Sequence, residues 1–290
     1  MSEVHLVECP RDAMQGWERA ISTADKVAYH KLLLAVGFGT LDIGSFVSPK
    51  AIPQMADTRE VLETLAEEGL LDAPDRPRLL TIVANERGAK DAARMPMVDD
   101  MGFPFSISET FQIRNAGTGL EEARKRLEDI QGICRASGKR LVTYLSMGFG
   151  NPYGDPWSPG LLVDTAGELI TSLGLEVVAL SDTVGSATED VIQATFEALI
   201  PAFPDVEFGA HLHAQPWEAK GKIGAAYRGG CRRFDGAVRG VGGCPMSGND
   251  LVGNMPTEQI LDFLTAEGMD MVKDQRAWSA AQAFAADLFG

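Results

Sequence analysis

The sequence predicts a (β/α)8 barrel, because eight short β-rich runs alternate with eight helical patterns along one chain of 290 residues. Alternation of this kind marks βαβ units and a parallel sheet. Eight repeats in this length suit a closed barrel better than an open doubly wound sheet, which pattern alone leaves as the alternative. No linker or low-complexity stretch divides the chain. Residues 1–290 therefore read as one α/β domain, with the barrel over about 4–268 and a helical tail over about 269–290.

The β-rich runs are Val4–Cys9, Thr40–Phe46, Arg78–Ala84, Gly102–Ile107, Arg140–Phe149, Glu176–Thr183, Glu207–His213 and Arg233–Val238. The helical patterns between and after them are Thr23–Val36, Thr58–Glu68, Arg87–Arg94, Leu120–Ser137, Ser158–Leu173, Thr188–Phe203, Trp217–Arg228 and Pro256–Glu267. Several boundaries carry their own signal. Asp57-Thr-Arg-Glu60 resembles a capped start, and Ser137-Gly138 and Leu173-Gly174 resemble C-terminal stops.

Composition narrows the partners. A hydrophobic share of 45% is ordinary for a globular protein with a sizeable core. A formal net charge of -15 argues against a nucleic-acid surface, which needs clustered Lys and Arg. Solubility is the simplest role of that charge, and an anionic substrate would need a local basic pocket working against it. The four cysteines, Cys9, Cys134, Cys231 and Cys244, form no CxxC pair, and the opening MSEVHLVECP has no apolar core of a signal peptide. No run approaches the ~18 apolar residues of a membrane span. The expectation is a cytoplasmic protein with reduced thiols, no nucleic-acid or membrane partner, and a homodimer as a possible assembly.

In a barrel of this type, chemistry sits at the carboxyl ends of the strands. His211-Leu212-His213 ends the seventh strand and uses two of the four histidines. Residues two apart on a strand point the same way, so both imidazoles can converge on one metal ion. Arg11-Asp12 follows the first strand: Asp12 is a candidate third ligand and Arg11 a permanent cation, although a turn or helix cap would use the same residues. The glycine-rich stretch from Arg239 to Asn254 follows the eighth strand without a Walker Lys or a GxGxxG pattern, so it is not a nucleotide loop. It presents Cys244 after two glycines, suited to a lid, with a buried structural thiol as the other reading. Asn254 can offer a metal its amide oxygen, or cap the helix near Pro256, which spacing alone favours. Asp42 in the second strand and Asp182 ending the sixth can orient Arg11, transfer protons or form structural ion pairs. Two imidazoles, one carboxylate and one amide oxygen suit Mg²⁺ or Mn²⁺ with open positions for substrate oxygens.

Together these residues resemble 3-hydroxy-3-methylglutaryl-CoA lyases. The resemblance rests on Pro10-Arg-Asp12 with Gln15, Ser45-Phe-Val-Ser-Pro-Lys50 followed by Pro53-Gln-Met55, and His211-x-His213. Asn85, Ser108-Glu109 with Phe111, Tyr144 with Pro152-Tyr153, Asp182-Thr-x-Gly185, Gly242-Gly-Cys-Pro245 and Gly253-Asn254 with Glu258 extend it. It runs from about residue 4 to the final helix. It implies a TIM barrel that splits an acyl-CoA thioester substrate into acetoacetate and acetyl-CoA by retro-Claisen cleavage. It further implies Asp12, His211, His213 and Asn254 as metal ligands, Arg11 as a catalytic cation, and Cys244 as a catalytic residue on a mobile loop. Asp42 and Asp182 stand where the family has Glu and Asp.

Departures sit beside the matches. Asp42 is shorter than Glu by one methylene, Ala214 stands where Asp is usual, Val142 stands where Arg is usual, and the loop between Cys244 and Asn254 is one residue longer. A lost cation at Val142 points to a substrate whose far end is less charged, longer or more apolar. Cleavage of citramalyl-CoA or a longer 3-hydroxy-3-alkylglutaryl-CoA is thus the alternative to the methylglutaryl thioester. A Claisen-type synthase and an inactive binding homologue are the remaining readings.

Overall fold

The computed structural model describes residues 3–243 and 252–290. In chain order its elements are β1 His5–Glu8, α1 Pro10–Gln15, α2 Thr23–Val36, β2 Thr40–Ser45, α3 Thr58–Glu67, β3 Arg78–Ile82 and α4 Glu86–Ala93. There follow β4 Asp100–Ser106, α5 Glu109–Ala116, α6 Leu120–Ser137, β5 Arg140–Ser146, α7 Pro159–Leu173, β6 Val177–Asp182 and α8 Glu189–Ala202. The chain continues through β7 Glu207–Leu212, α9 Ala219–Arg228, β8 Arg233–Gly236, α10 Thr257–Ala266 and α11 Gln275–Phe289. Each strand pairs in parallel with the next, and β8 returns to β1, so the sheet closes into the expected barrel.

The sequence produces this closure because its strands are buried on both faces. Outward residues such as Leu41, Leu79, Leu141 and Leu180 pack under the helices in one continuous core. Inward residues Leu80, Val142, Tyr144, Val177 and Ala179, with Ile82, form a smaller apolar plug. Lateral register ties Tyr144 to Ala179, Ala179 to Gly209 and Gly209 to Arg233. One inward step higher, Ser146, Ser181 and His211 lie in line. The plug thus fills the barrel below the histidines and leaves the carboxyl end for polar residues.

Sequence signals and structure part company at two short helices. α1 begins at Pro10, which fits a first helical position, but its six residues were legible only as a turn or cap. α5 has no long apolar stripe: only Phe111 and Gln112 are buried, and Ser108 caps it by accepting from Phe111 N–H. The start at Asp57 holds in position, but its cap is corrected. Its carboxylate makes no cap and instead accepts from Thr23 and from Lys26 Nζ at 2.6 Å, joining α3 to α2. The stops at Gly138 and Gly174 hold, with φ of 68° and 59°. The tail helix belongs to the same body: Phe284 stacks on Tyr29 at 5.8 Å and Trp278 meets Phe38 edge-on at 6.0 Å. No described helix is long and apolar enough to cross a membrane.

Candidate metal centre

The mouth of the barrel brings together Asp12, His211 and His213, whose ligand atoms all lie within 4.8 Å of one another. The local fold explains each position. β1 delivers the chain to the mouth and α1 starts there, with Asp12 N–H and Ala13 N–H both donating to Cys9 carbonyl. That turn aims Arg11 and Asp12 inward, and both are buried. His211 lies in β7 and His213 just beyond it, where a backbone bridge to Asn254 extends the strand. Their rings meet edge-on with centroids 5.3 Å apart.

Arg11 and Asp42 form a two-point pair. Arg11 Nη2 donates to Asp42 Oδ2 at 2.5 Å, and Arg11 Nε donates to the same oxygen at 2.9 Å and to Oδ1 at 3.2 Å. Arg11 Nη1 donates to Asp12 Oδ1 at 2.7 Å and to Gln15 Oε1 at 2.8 Å, and Gln15 Nε2 donates to Asp12 Oδ1 at 2.8 Å. The shorter Asp42 side chain therefore still reaches the guanidinium. All of Arg11's anchoring leaves one oxygen over: Asp12 Oδ2 is buried with no hydrogen-bond partner among the described residues.

Electrostatics follow the same geometry. Burial would raise the Asp12 carboxyl, but Arg11 and the two imidazoles outweigh it and hold it down at about 2. Burial dominates at Asp42 and lifts it to about 6 against the pull of Arg11. Burial would lower the Arg11 guanidinium too, and Asp42 and Asp12 more than reverse that. His213 is pushed down to about 4 by burial and by its neighbour His211. His211 moves the other way: burial lowers it, but Asp235 accepts from Nδ1 at 3.1 Å and raises it. A carboxylate only accepts, so His211 Nδ1 carries the hydrogen and Nε2 keeps a lone pair for a cation. His213 Nδ1 is also buried without a partner.

These residues fit a divalent cation. An unpartnered buried carboxylate oxygen and two imidazoles, one of them fixed in tautomer, are a hard-to-borderline N/O donor set. Asn254, bridged to His213 through the backbone, would be a fourth donor. Its Nδ2 donates to Val241 carbonyl at 2.8 Å, so the amide's acceptor, Oδ1, is the atom it would offer. The spacing argument for a helix cap does not hold, because α10 starts after Pro256 with no side-chain cap. Gly242 lets the loop lie against α1. A Cβ there would come within 2.5 Å of Asp12 carbonyl and 2.9 Å of Asn254 Nδ2, at a φ of 90° that favours glycine anyway. A second group, Cys9 with His211 and Asp235, lies as close together. Burial first, then Asp235, pushes the Cys9 thiol well above its ordinary value, which disfavours the thiolate a metal would need.

The remaining expected residues divide. Asp182 does not reach Arg11: Lys222 Nζ donates to its Oδ2 at 3.1 Å, and Ser186 and Ala187 N–H donate to its two oxygens. Lys222 also donates to His213 carbonyl at 3.1 Å, so this buried pair holds the loop after β6 against the second histidine. Burial raises the Asp182 carboxyl against that lysine. Cys244 lies outside the described residues. Val142 is fully buried in the apolar plug one inward step below Tyr144, so the cation missing there is missing from the barrel interior and not from its mouth.

Sequence reading missed Asp235, the carboxylate behind His211. No local signal marks it: Gly209 pairs with Arg233, and only continuing that register by two residues sets Asp235 beside His211. It also missed Tyr144 as a neighbour of the centre, whose ring meets His211 edge-on at 5.2 Å.

The HMGL-like family model matches residues 4–283. Among curated relatives, a 3-hydroxy-3-isohexenylglutaryl-CoA/hydroxymethylglutaryl-CoA lyase of Pseudomonas aeruginosa is 31% identical over 276 residues, covering 93% of this chain and 88% of its own. Among solved structures, an HMG-CoA lyase from Brucella melitensis superposes with a TM-score of 0.86 at 30% identity, covering 100% of this chain and 99% of its own. An HMG-CoA lyase from Acinetobacter baumannii, in complex with coenzyme A and 3-methylmalate, gives 0.87 at 25% identity, covering 99% and 92%.

Proposed function

This chain belongs to the HMGL-like family, and on that premise we propose that it is a divalent-metal-dependent lyase that cleaves 3-hydroxy-3-methylglutaryl-CoA to acetoacetate and acetyl-CoA. The observation that carries the reading is the spare, buried Asp12 Oδ2 beside two convergent imidazoles, with a fixed guanidinium at its side.

Asp12, His211, His213 and Asn254 would hold the cation, and their oxygen and nitrogen donors suit Mg²⁺ or Mn²⁺. Such a cation supplies Lewis acidity, drawing charge from the substrate's tertiary hydroxyl and carboxylate oxygens. Cleavage requires loss of the hydroxyl proton to a base and rupture of the C2–C3 bond. The carbinol carbon becomes the ketone of acetoacetate, and the bonding electrons pass into the enolate of the thioester. Arg11 is already immobilised by Asp42, Asp12 and Gln15, so its charge meets the developing oxyanion without reorganisation. Protonation of the enolate carbon then gives acetyl-CoA, and Cys244 is the proposed donor.

A coupled assay for acetyl-CoA release, with Mg²⁺ or Mn²⁺ and with EDTA, tests this. Metal-dependent release that is abolished in Cys244→Ala is expected. Release that is indifferent to EDTA would overturn the metal role. A longer 3-hydroxy-3-alkylglutaryl-CoA is the second reading, since the Pseudomonas aeruginosa relative carries both substrate names. A higher kcat/KM on a longer-tailed thioester than on the methylglutaryl one would select it.

A further inference from the structure

Arg233 opens β8 and points into the barrel, one inward step below the level of His211 and Asp235. It is fully buried, and its Nε, Nη1 and Nη2 make no hydrogen bond among the described residues. The nearest carboxylate oxygens are Glu207 Oε1, 3.7 Å from Nη1, and Asp235 Oδ1, 3.8 Å from Nε. Asp235 Oδ1 is itself buried without a hydrogen-bond partner, while Asp235 Oδ2 accepts from His211 Nδ1. The fold makes room for this cation. Gly209 is its lateral neighbour, and a Cβ there would come within 2.8 Å of Arg233 Cδ.

A buried guanidinium facing carboxylates without direct hydrogen bonds is expensive to fold around. Its position says what it acts on. Arg233 sits under one oxygen of the carboxylate whose other oxygen fixes the His211 tautomer. We infer that Arg233 is a positioning residue for the metal centre: its charge holds the Asp235 carboxylate in place, and Asp235 in turn presents His211 Nε2 to the cation. The inference rests on reading Asp12, His211 and His213 as a metal centre.

The two simplest roles for such a charge have opposite signs. A cation below a divalent ion repels it, so a bystander charge would weaken metal binding, and its removal would tighten it. A positioning charge does the reverse. Removing an outer partner of a metal-bound histidine typically costs 10–100-fold in metal affinity.

The test is Mn²⁺ binding by calorimetry on the full chain without substrate, comparing wild type with Arg233→Met, Arg233→Gln, Arg233→Lys, Asp235→Asn and the Arg233→Met/Asp235→Asn double variant. Near-UV circular dichroism confirms the fold of each, and Arg233→Gln serves where Arg233→Met does not fold. Neutral substitution of Arg233 is expected to weaken Mn²⁺ by about 10–100-fold. Arg233→Lys should recover most of that, and the double variant should be no weaker than the weaker single one. Lost activity should return when Mn²⁺ is raised, as a change in the metal requirement and not in kcat. Unchanged or tighter binding in folded Arg233→Met or Arg233→Gln, or additive losses in the double variant, would overturn the inference. Wild type that binds no Mn²⁺ would instead bring down the metal reading, and this role with it.

Discussion

At the amino-terminal floor of the barrel, Asp100 accepts from Arg78 Nη2 at 2.6 Å and Arg78 Nε at 2.9 Å, and from Arg140 Nε and Nη2 at 3.1 and 3.2 Å. Glu207 joins the same ring through Arg140 Nη1 at 3.4 Å and His5 Nδ1 at 2.9 Å, and His5 Nε2 meets Thr40 Oγ1. At the mouth Arg11, Asp12, Asp42 and two histidines also cluster, yet Asp12 Oδ2 and His213 Nδ1 have no partner among the described residues. A cavity of about 910 Å³, lined by His5, Arg76, Glu207 and Lys273 among others, opens at the floor. Charge and concavity are therefore present where no chemistry is expected. What separates the ends is the kind of bonding capacity left over: beside the floor ring the unbonded nitrogens belong to the Arg233 guanidinium, which has no lone pair for a cation, whereas at the mouth a carboxylate oxygen and an imidazole nitrogen are spare. A floor carboxylate is already bonded, whereas the mouth keeps ligands in reserve for something the chain itself does not supply.

The sharpest way to break this comparison is to neutralise one cation at the mouth. Arg11→Met should lower kcat by roughly 10²–10³-fold, the usual cost of losing a preorganised oxyanion partner. Mn²⁺ binding should fall less than kcat does, because Gln15 still holds Asp12 Oδ1 when Arg11 no longer does, and removing a nearby positive charge offsets part of the loss. Steady-state kinetics beside calorimetry would show the split, and a kcat close to wild type would remove Arg11 from the reaction.

The matching change at the floor should behave in the opposite way. Asp100 is fully buried between two arginines. Asp100→Ala takes from Arg78 its carboxylate and leaves Arg140 only Glu207, and breaking a buried pair costs about 3–5 kcal/mol, discounted toward the lower figure because Arg78 is partly exposed. Urea denaturation should register that loss, while kcat per folded molecule stays unchanged. A floor variant that lost kcat without losing stability would show that the two ends are coupled.

How much of this contrast was legible in the sequence depends on the range of the contacts involved. Strand order and the tail followed from local pattern, because each helix follows its strand, while closure was favoured by the count of eight repeats over an open sheet that pattern alone left standing. His211 and His213 declared themselves through a two-residue period, a property of one strand. Arg11 with Asp12 was legible as an adjacent pair at a strand end. Asp235 and Arg233 were not, because their meaning depends on the register between β7 and β8, a long-range quantity. Asp182 stayed divided between orienting Arg11, proton transfer and a structural ion pair for the same reason. Its partner Lys222 lies on α9, 40 residues away, and nothing local distinguishes a carboxylate that faces Arg11 from one that faces a lysine. The missing cation at Val142 was visible in sequence, but only the structure places that residue in the apolar plug.

The smallest predicted effect separates the two ends by the sign of their pH dependence. At the floor, burial would raise the Glu207 carboxyl, but its bond to His5 and the nearby Arg233 and Arg140 hold it at about 2, below its ordinary 4.5. That stability is present above about 4.5 and is lost as pH falls toward 2. Near the mouth, Glu8 is buried between β1 and the loop after β8, accepting from Val238 N–H at 2.9 Å and bonded to Thr257 Oγ1 at 2.6 Å. Burial outweighs both bonds and raises its carboxyl to about 8. The folded state therefore holds this proton more tightly than the unfolded chain does, and its contribution is full below about 4.5 and declines as pH rises through 8. Glu8→Gln keeps an acceptor for Val238 and a donor for Thr257 while removing the proton. Its Tm should therefore gain on wild type progressively from pH 5 to pH 8.5. Parallel Tm curves over that range would mean that Glu8 is ionised in the folded protein, with Thr257 and Val238 enough to hold a buried charge.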